Sequence, residues 1–406
     1  MKQFSQQITD KLYYIGTNDR ITEQFENMWP LPDGVAYNSY IIKGSKNILL
    51  DSVKSTTIEE CIRKLDEVLE GEELHYIIVH HMEPDHSSGI PTLLLKYPNC
   101  KLIANKRAVK MLESYYGIKE DELILVDDGE TLELGDTKLT FYHTPMVHWP
   151  ESMVSFEEET GTLFSQDIFG AFGTLDGAIY DDEVEFDRYY LEEMSRYYIN
   201  IVGKYSGQAL KALGKLGGLD IKMICPDHGP IWRNNIEKVI QIYTDLANQK
   251  TEDGVAIIFG SIYGNTERMA QLIAKGVAEE GLTNIRMHDV AKKPQSYLLA
   301  DCWRYKGIIL ISCSYDKALF PPMAFLTNEL KHQKMKNNIW GIAGSYSWNG
   351  GALKGLKEFV EGEKLNVLPL MPEVMGAGSE KDFEDLINLG KMMAKAVKEG
   401  KVPEAE

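Results

Sequence analysis

Residues 80–89 read His-His-Met-Glu-Pro-Asp-His-Ser-Ser-Gly, and four of them, His81, Glu83, Asp85 and His86, carry side chains of metal-binding type. They follow the strand-like run Tyr76-Ile77-Ile78-Val79. Alternate side chains of an extended segment share a face, so the spacing predicts His81, Glu83 and Asp85 on one side. A turn at Pro84 would bring His86 in beside them. Gathering such groups is costly unless a cation sits among them. The implied chemistry is a two-metal site, in which ions roughly 3.5–4 Å apart clamp one small ligand.

Three later residues stand where such a site could recruit them. His148 lies in Pro145-Met146-Val147-His148-Trp149-Pro150, Asp167 ends the run Leu163-Phe164-Ser165-Gln166, and His228 lies in Cys225-Pro226-Asp227-His228-Gly229. All three follow strand-like runs, and strand-end loops on one rim are where sites assemble in layered folds. His75, His80, His143, His288 and His332 read as ordinary structural histidines. His80 in particular should face away from its neighbour His81.

A second constellation begins at the apolar run Val255–Phe259. It leads into Gly260-Ser261-Ile262-Tyr263-Gly264-Asn265-Thr266-Glu267 and then a helical pattern. Strand, glycine turn and helix make an anion cradle, in which backbone N–H groups and the hydroxyls of Ser261 and Thr266 can hold a phosphate. No lysine follows the glycine, so this is not a nucleotide P-loop.

The elements that must position these residues fall into two sections. To about residue 250 the chain is rich in short strands: Val35–Ile42 and Asn47–Asp51 as a hairpin, then 75–80, 101–105, 122–126, 138–144, 153–157 and 162–167. Helical spacing marks Thr56–Glu70, 185–217 and 235–249. The polar stretch 247–254 reads as a linker. Beyond it the rhythm is β-α-β, with apolar runs at Val255–Phe259, Gly307–Ile311 and Ile339–Ala343, which predicts a parallel sheet covered on both faces. The tail 402–406 reads as frayed.

The chain has 406 residues, 44% of them hydrophobic, and a net charge of −18. That balance argues against nucleic acid and anionic membranes as partners. The N-terminus lacks the apolar stretch of a signal peptide, and no run approaches a membrane span. Five scattered cysteines without a C-x-x-C argue against a disulfide framework and a cysteine-ligated iron centre, and fit a reducing cytoplasm.

Over nearly its whole length the sequence resembles the flavodiiron branch of the metallo-β-lactamase superfamily, the A-type flavoproteins. The motif H-x-E-x-D-H is matched by His81, Glu83, Asp85 and His86, and the later ligands by His148, Asp167 and His228. The resemblance implies an αββα metallo-β-lactamase-like sandwich over 1–250, followed by a flavodoxin-like doubly wound sheet over 254–401. It implies one iron on His81, Glu83 and His148, a second on Asp85, His86 and His228, and Asp167 between them. Hydrolytic relatives carry histidine in place of Glu83, and a carboxylate there favours iron or manganese over zinc.

The turn Ser261 to Thr266 resembles the flavodoxin FMN-phosphate loop, implying FMN contacts from Ser261, Ile262, Tyr263, Gly264, Asn265 and Thr266. The ring would then meet two later loops, through Ser314, Tyr315 and Asp316 in the first and Ser345, Tyr346, Trp348 and Gly350 in the second. The first departs from the family's Ser-Pro-Thr pattern, with Cys313, Ser314, Asp316 and Lys317. Tyr197 matches a family position near the substrate pocket, and Trp149 adjoins His148.

The expected function is reduction of dioxygen to water, of nitric oxide to nitrous oxide, or both. Electrons would come through FMN from an external donor such as rubredoxin or its reductase, in a head-to-tail homodimer or dimer of dimers. The rival readings are a metal-dependent hydrolase of the same superfamily and a flavin-only electron carrier.

Overall fold

The computed structural model describes residues 4–403, and the chain divides between Asn248 and Gln249 into two compact units. Of the tail expected to fray, 404–406 lie outside the described residues, as do residues 1–3 of the N-terminal stretch.

The first unit is built on two sheets. One runs in the order Gln6–Gln7, Leu12–Tyr14, Tyr40–Ile42, Ile48–Leu50, Tyr76–Ile78, Lys101–Asn105, Leu123–Val126. Its first half is antiparallel, and its second half, from Ile48–Leu50 onward, is parallel. The buried triplet Ile48-Leu49-Leu50 suits a strand covered on both faces. The other sheet runs Thr131–Leu134, Thr137–His143, Met153–Glu157, Thr162–Gln166, Met223–Pro226, antiparallel except for its last pair. Helix Ile58–Leu69 buries Ile58, Cys61, Leu65, Val68 and Leu69, the stripe its spacing predicts. This is the expected αββα sandwich.

Three local expectations need correction. The segment Val35–Ile42 is two strands: Val35–Tyr37 pairs with Thr17–Asp19, and Tyr40–Ile42 with Leu12–Tyr14 and Ile48–Leu50. The break falls at buried Asn38, whose amide donates to the carbonyls of Pro226 and Gly229 at 2.8 Å each, a demand that outweighs strand continuity. The stretch 185–217 is broken into Phe186–Tyr189, Leu191–Tyr197, a π-turn Tyr198–Val202, a 3-10 turn Gly203–Tyr205 and Ser206–Leu216. Finally, the strand before the metal-binding residues stops at Ile78, and Pro84–Ser87 is a single helical turn. His81, Glu83 and Asp85 therefore do not share the face of an extended strand. Proline at the first helical position favours that turn.

In the second unit five strands are parallel in the order Ile285–Asp289, Glu252–Gly260, Tyr305–Tyr315, Ile339–Tyr346, Glu373–Met375. Counted along the chain this is 2-1-3-4-5, the flavodoxin-like arrangement. One side of the sheet packs Ile257, Phe259, Ile309 and Ile311 against Met269, Ile273 and Val277 of helix Asn265–Glu279 and Leu386, Leu389 and Met393 of helix Glu380–Glu399. Among the described residues no helix is long and apolar enough to cross a membrane. All five cysteines are buried and unpaired.

Candidate metal centre and flavin loops

The seven expected ligands converge into two adjoining groups. His81, Glu83, His148 and Asp167 form one, and Asp85, His86 and His228 the other; within each, the candidate ligand atoms lie within 4.8 Å of one another and every residue is buried. Asp167 joins the groups. Its Oδ2 lies 3.2 Å from His81 Nε2 and 3.1 Å from His148 Nε2, while its Oδ1 lies 3.1 Å from His86 Nε2 and 3.4 Å from His228 Nε2. Glu83 Oε2 is 2.9 Å from His148 Nε2, and Asp85 Oδ2 is 3.4 Å from both His86 and His228.

These donors fit a metal pair. Both Asp85 oxygens, both Asp167 oxygens, both His86 nitrogens and His228 Nε2 are buried without a hydrogen-bond partner. Six of these, all but His86 Nδ1, face the centre, and so many at one point would be prohibitively costly unless cations complete them. With Asp167 shared, each group offers two imidazoles and two carboxylates, a set that suits iron or manganese.

Local structure aims three of the four imidazoles. Glu151 Oε1 accepts from His81 Nδ1 at 2.9 Å, Ala36 O accepts from His228 Nδ1 at 2.7 Å, and Asp227 Oδ2 lies 3.4 Å from His86 Nδ1. Each contact leaves Nε2 facing the centre, the usual outer support of a metal-binding histidine. Gln166 links two ligand loops: its amide donates to Val147 O, next to His148, and its Oε1 accepts from the backbone N–H of Asp167, both at 2.6 Å. As expected, His80 points elsewhere. Its Nδ1 meets Asp51 at 2.5 Å and its Nε2 meets Ser155 at 2.8 Å, tying the two sheets together.

Electrostatics express the same crowding. Burial opposes charge on His81, yet Asp167, Glu151 and Glu83 raise it well above its ordinary value. His148, against Glu83 and Asp167, is likewise pushed up to about 9 despite burial. Burial opposes ionisation of Asp167 too, but His86 and His81 hold it well below the carboxylate range.

Sequence reasoning missed Glu151, Asp227, Asn38 and Glu26. The last sits at the tip of a hairpin, Gln24–Phe25 with Trp29–Pro30. Its Oε2 accepts from the Trp29 indole N–H at 2.9 Å, and burial together with the Glu83 charge pushes the carboxyl up to about 7. Of the two further expectations, the Trp149 ring packs edge-on against His81 with centroids 5.3 Å apart. Tyr197 is fully buried 5.4 Å from the His228 ring, and its hydroxyl has no hydrogen-bond partner.

In the second unit the expected flavin-loop residues gather at the carboxyl ends of the strands. Gly264 takes φ +95°, a conformation that glycine supplies without strain, and its N–H donates to Ser261 Oγ at 3.0 Å. Helix Asn265–Glu279 starts directly after it. Buried Thr266 and Ser345 hydroxyls lie 3.0 Å apart, joining the first loop to the third. The middle loop is a hairpin in which Ser314 and Tyr315 pair with Leu319 and Ala318, and Asp316 and Lys317 both take positive φ. Ser314 Oγ accepts from Ala352 N at 3.1 Å, so this loop is also locked to the third. Around them Tyr263 is 95% and Trp348 73% exposed, the latter with Lys317 Nζ 6.0 Å from its ring centroid. Asn265, Tyr315 and Asp316 are exposed, Ile262 and Tyr346 border the same loops, and a Cβ on Gly350 would stand 2.9 Å from Glu373.

Residues 35–229 match the ODP family beta lactamase, and residues 257–388 match the flavodoxin family. Along 396 residues the chain is 30% identical to a rubredoxin-oxygen oxidoreductase of Megalodesulfovibrio gigas, covering 96% of this chain and 98% of that protein. The chain belongs to the flavodiiron protein family. A flavodiiron architecture is equally evident in three dimensions. A rubredoxin oxygen:oxidoreductase structure from Desulfovibrio gigas superposes with TM-score 0.93 at 29% identity, over 98% of this chain and 99% of that one. The anaerobic nitric oxide reductase flavorubredoxin of Escherichia coli is 28% identical over 86% of this chain and 74% of its own length. The cofactors of this flavodiiron protein are FMN and two non-haem iron ions.

Proposed function

We propose that this chain is an oxidoreductase that reduces dioxygen to water, nitric oxide to nitrous oxide, or both, with electrons entering through FMN from an external donor. The observation that carries the reading is Asp167, which offers one oxygen to each of two buried ligand groups in a chain that also has a flavodoxin unit. In this reading His81, Glu83 and His148 hold one iron, Asp85, His86 and His228 the other, and Asp167 both. When bound, FMN supplies electron relay and the iron pair supplies a reducing seat for a diatomic gas.

The chain's own residues prepare that seat. Glu151, Asp227 and the Ala36 carbonyl fix the imidazoles. Phe25 and Tyr197 pack against His228 on one side, with Phe172 behind them, and Trp149 covers His81 on the other, which keeps bulk water off the centre. Burial and nearby Asp167 raise the Tyr197 phenol well above its ordinary value, so its hydroxyl stays a donor, available to a ligand of the centre. In the second unit Ser261, Ile262, Tyr263, Gly264, Asn265 and Thr266 would cradle the FMN phosphate. Ser314, Tyr315, Asp316, Ser345, Tyr346, Trp348 and Gly350 would border the ring.

The donor would dock on the flavodoxin unit. Residues up to 248 contain 23 lysines and arginines against 41 aspartates and glutamates, a difference of −18; the remainder contain 20 against 20. The acidic charge therefore lies wholly in the first unit, and the second does not repel an acidic carrier such as rubredoxin. The same reading gives functional domains at 1–250 and 254–401, a cytoplasmic protein, and a head-to-tail homodimer or a dimer of dimers.

Metal and flavin analysis with anaerobic gas turnover tests the proposal. Two irons and one FMN per chain are expected, with consumption of dioxygen or nitric oxide by the chemically reduced protein. Two zincs and thioester or phosphodiester hydrolysis would establish the hydrolase reading instead.

A further inference from the structure

Two fully buried side-chain amides, Asn38 and Gln166, stand behind the later ligand loops. Asn38 lies between the strands Val35–Tyr37 and Tyr40–Ile42. Its amide nitrogen donates to Pro226 O and to Gly229 O at 2.8 Å each, and its backbone N–H donates to Asp227 O at 2.7 Å. One residue therefore grips the carbonyls on both sides of His228. The Asn38 Oδ1 accepts from the Tyr14 hydroxyl at 3.1 Å, which fixes the way the amide faces. The Tyr40 hydroxyl adds a second bond to Pro226 O at 2.7 Å. Two residues before Asn38, the Ala36 carbonyl accepts from His228 Nδ1 at 2.7 Å.

Gln166 acts on the other two loops. Its amide donates to Val147 O, the carbonyl before His148, and its Oε1 accepts from the Asp167 N–H, both at 2.6 Å. Its own carbonyl accepts from the Asp227 N–H at 2.9 Å, which extends the link to the His228 loop. Gln166 has φ 47°, a left-handed conformation that a non-glycine residue keeps only where its surroundings hold it. The strand Thr162–Gln166 ends on this residue, so Asp167 departs into the centre from a backbone pinned at both sides.

Amides suit this place for an electrostatic reason. The centre already gathers four imidazoles and three carboxylates. A further carboxylate would add to its negative charge, and a lysine or arginine would repel the metals. An amide donates and accepts without charge, so it fixes backbone groups of two segments and leaves the balance among the ligands alone. A buried carbonyl that lost such a donor would be left unsatisfied, a cost that drives the loop to rearrange.

We propose that Asn38 and Gln166 are positioning residues that divide the later ligand loops between them: Asn38 seats His228 for one metal, and Gln166 ties His148 to the Asp167 that both metals share. The inference rests on the diiron reading above and deepens it. It predicts that one amide governs a single metal position and the other governs both.

Ferrous iron affinity on the full chain, by chelator competition, is the test. Mössbauer spectra tell the two ferric positions apart, and melting of the metal-free protein is the fold control. The wild type comes first: if it takes up no pair of metals, the diiron reading falls and this inference with it. If it binds two, Asn38→Leu, close in volume but without an amide, is expected to weaken one metal about tenfold and leave the other within about twofold. Gln166→Met, equally close in volume, is expected to weaken both and to change the magnetic coupling between the ions, because Asp167 is shared. A merely structural role would lower the melting temperature without sorting the two positions in this way. Asn38→Ser, which keeps one donor, and Gln166→Asn, which keeps an amide one carbon short, should show the same pattern with smaller losses, and serve if the first variants melt early. Folded variants with the affinities and spectra of a wild type that binds two metals would overturn the inference and leave the diiron reading intact. So would an Asn38→Leu chain that weakens both positions equally.

Discussion

Glu151 Oε1 accepts from His81 Nδ1 and from the backbone N–H of Met82, both at 2.9 Å, so one carboxylate fixes both the ring and the peptide that follows it. The His81 ring can then present only Nε2 to the centre. Removing such an outer partner costs about 10–100-fold in metal affinity elsewhere. Glu151→Ala is expected to lose iron from the His81 position within that range, measured by chelator competition. Glu151→Gln, which still accepts, should lose less. Equal affinities for wild type and Glu151→Ala would show that packing alone orients the ring.

Asp167 faces four imidazoles, two with each oxygen. Its loss therefore removes an anion from both metal positions at once. Asp167→Ala should retain close to one FMN per chain but almost no iron, with gas consumption lost as a consequence. If gas consumption by the reduced protein persisted in iron-free Asp167→Ala, the flavin alone would be responsible, as in the electron-carrier reading.

The seven candidate ligands were legible because their types are few and each follows a strand-like run. The supporting carboxylates were not. Glu151 and Asp227 are two of 61 acidic residues, and nothing in spacing separates them from solvated ones. Only tertiary structure turns them inward. The residues of motif 81–86 do converge, but through another geometry than expected, because Pro84 opens a helical turn where an extended strand was expected. Asn38 broke an expected strand for a similar reason: its side chain is committed to the loop that carries His228. In the second unit the β-α-β rhythm was plain, but the hairpin at Asp316-Lys317 was hidden, since a turn with two positive φ values normally announces itself with asparagine or glycine.

That hairpin carries its own expectation. A Cβ on Gly351 would stand 2.2 Å from the Lys317 carbonyl oxygen, a backbone atom that cannot swing aside. Gly351→Ala must therefore push the third loop off the hairpin and disturb the Ala352 to Ser314 hydrogen bond. FMN should dissociate at least several-fold more readily, read from flavin fluorescence after desalting, while the iron content of the first unit stays near two. Loss of iron along with FMN would mean that the substitution disturbs far more than these loops.

Proton and metal compete for the same atoms, which fixes the sign of a pH effect. In the metal-free chain His148 rises from its ordinary 6.5 to about 9, burial opposing and the Glu83 and Asp167 carboxylates prevailing. His81 and His228 are raised for the same kind of reason. A group raised on folding adds stability that is fully present below its unfolded value and is lost as pH climbs through the folded one. The metal-free protein should therefore melt at progressively lower temperature between pH 6.5 and about 9.5. Bound metal replaces those protons, so the loaded protein should be nearly flat over the same window, and loading at pH 7 should release protons into a weakly buffered dye solution. Calorimetry with and without metal measures the first effect and dye absorbance the second. A metal-free melting point that stays flat or rises through this window would mean that the histidines are already neutral in the folded chain.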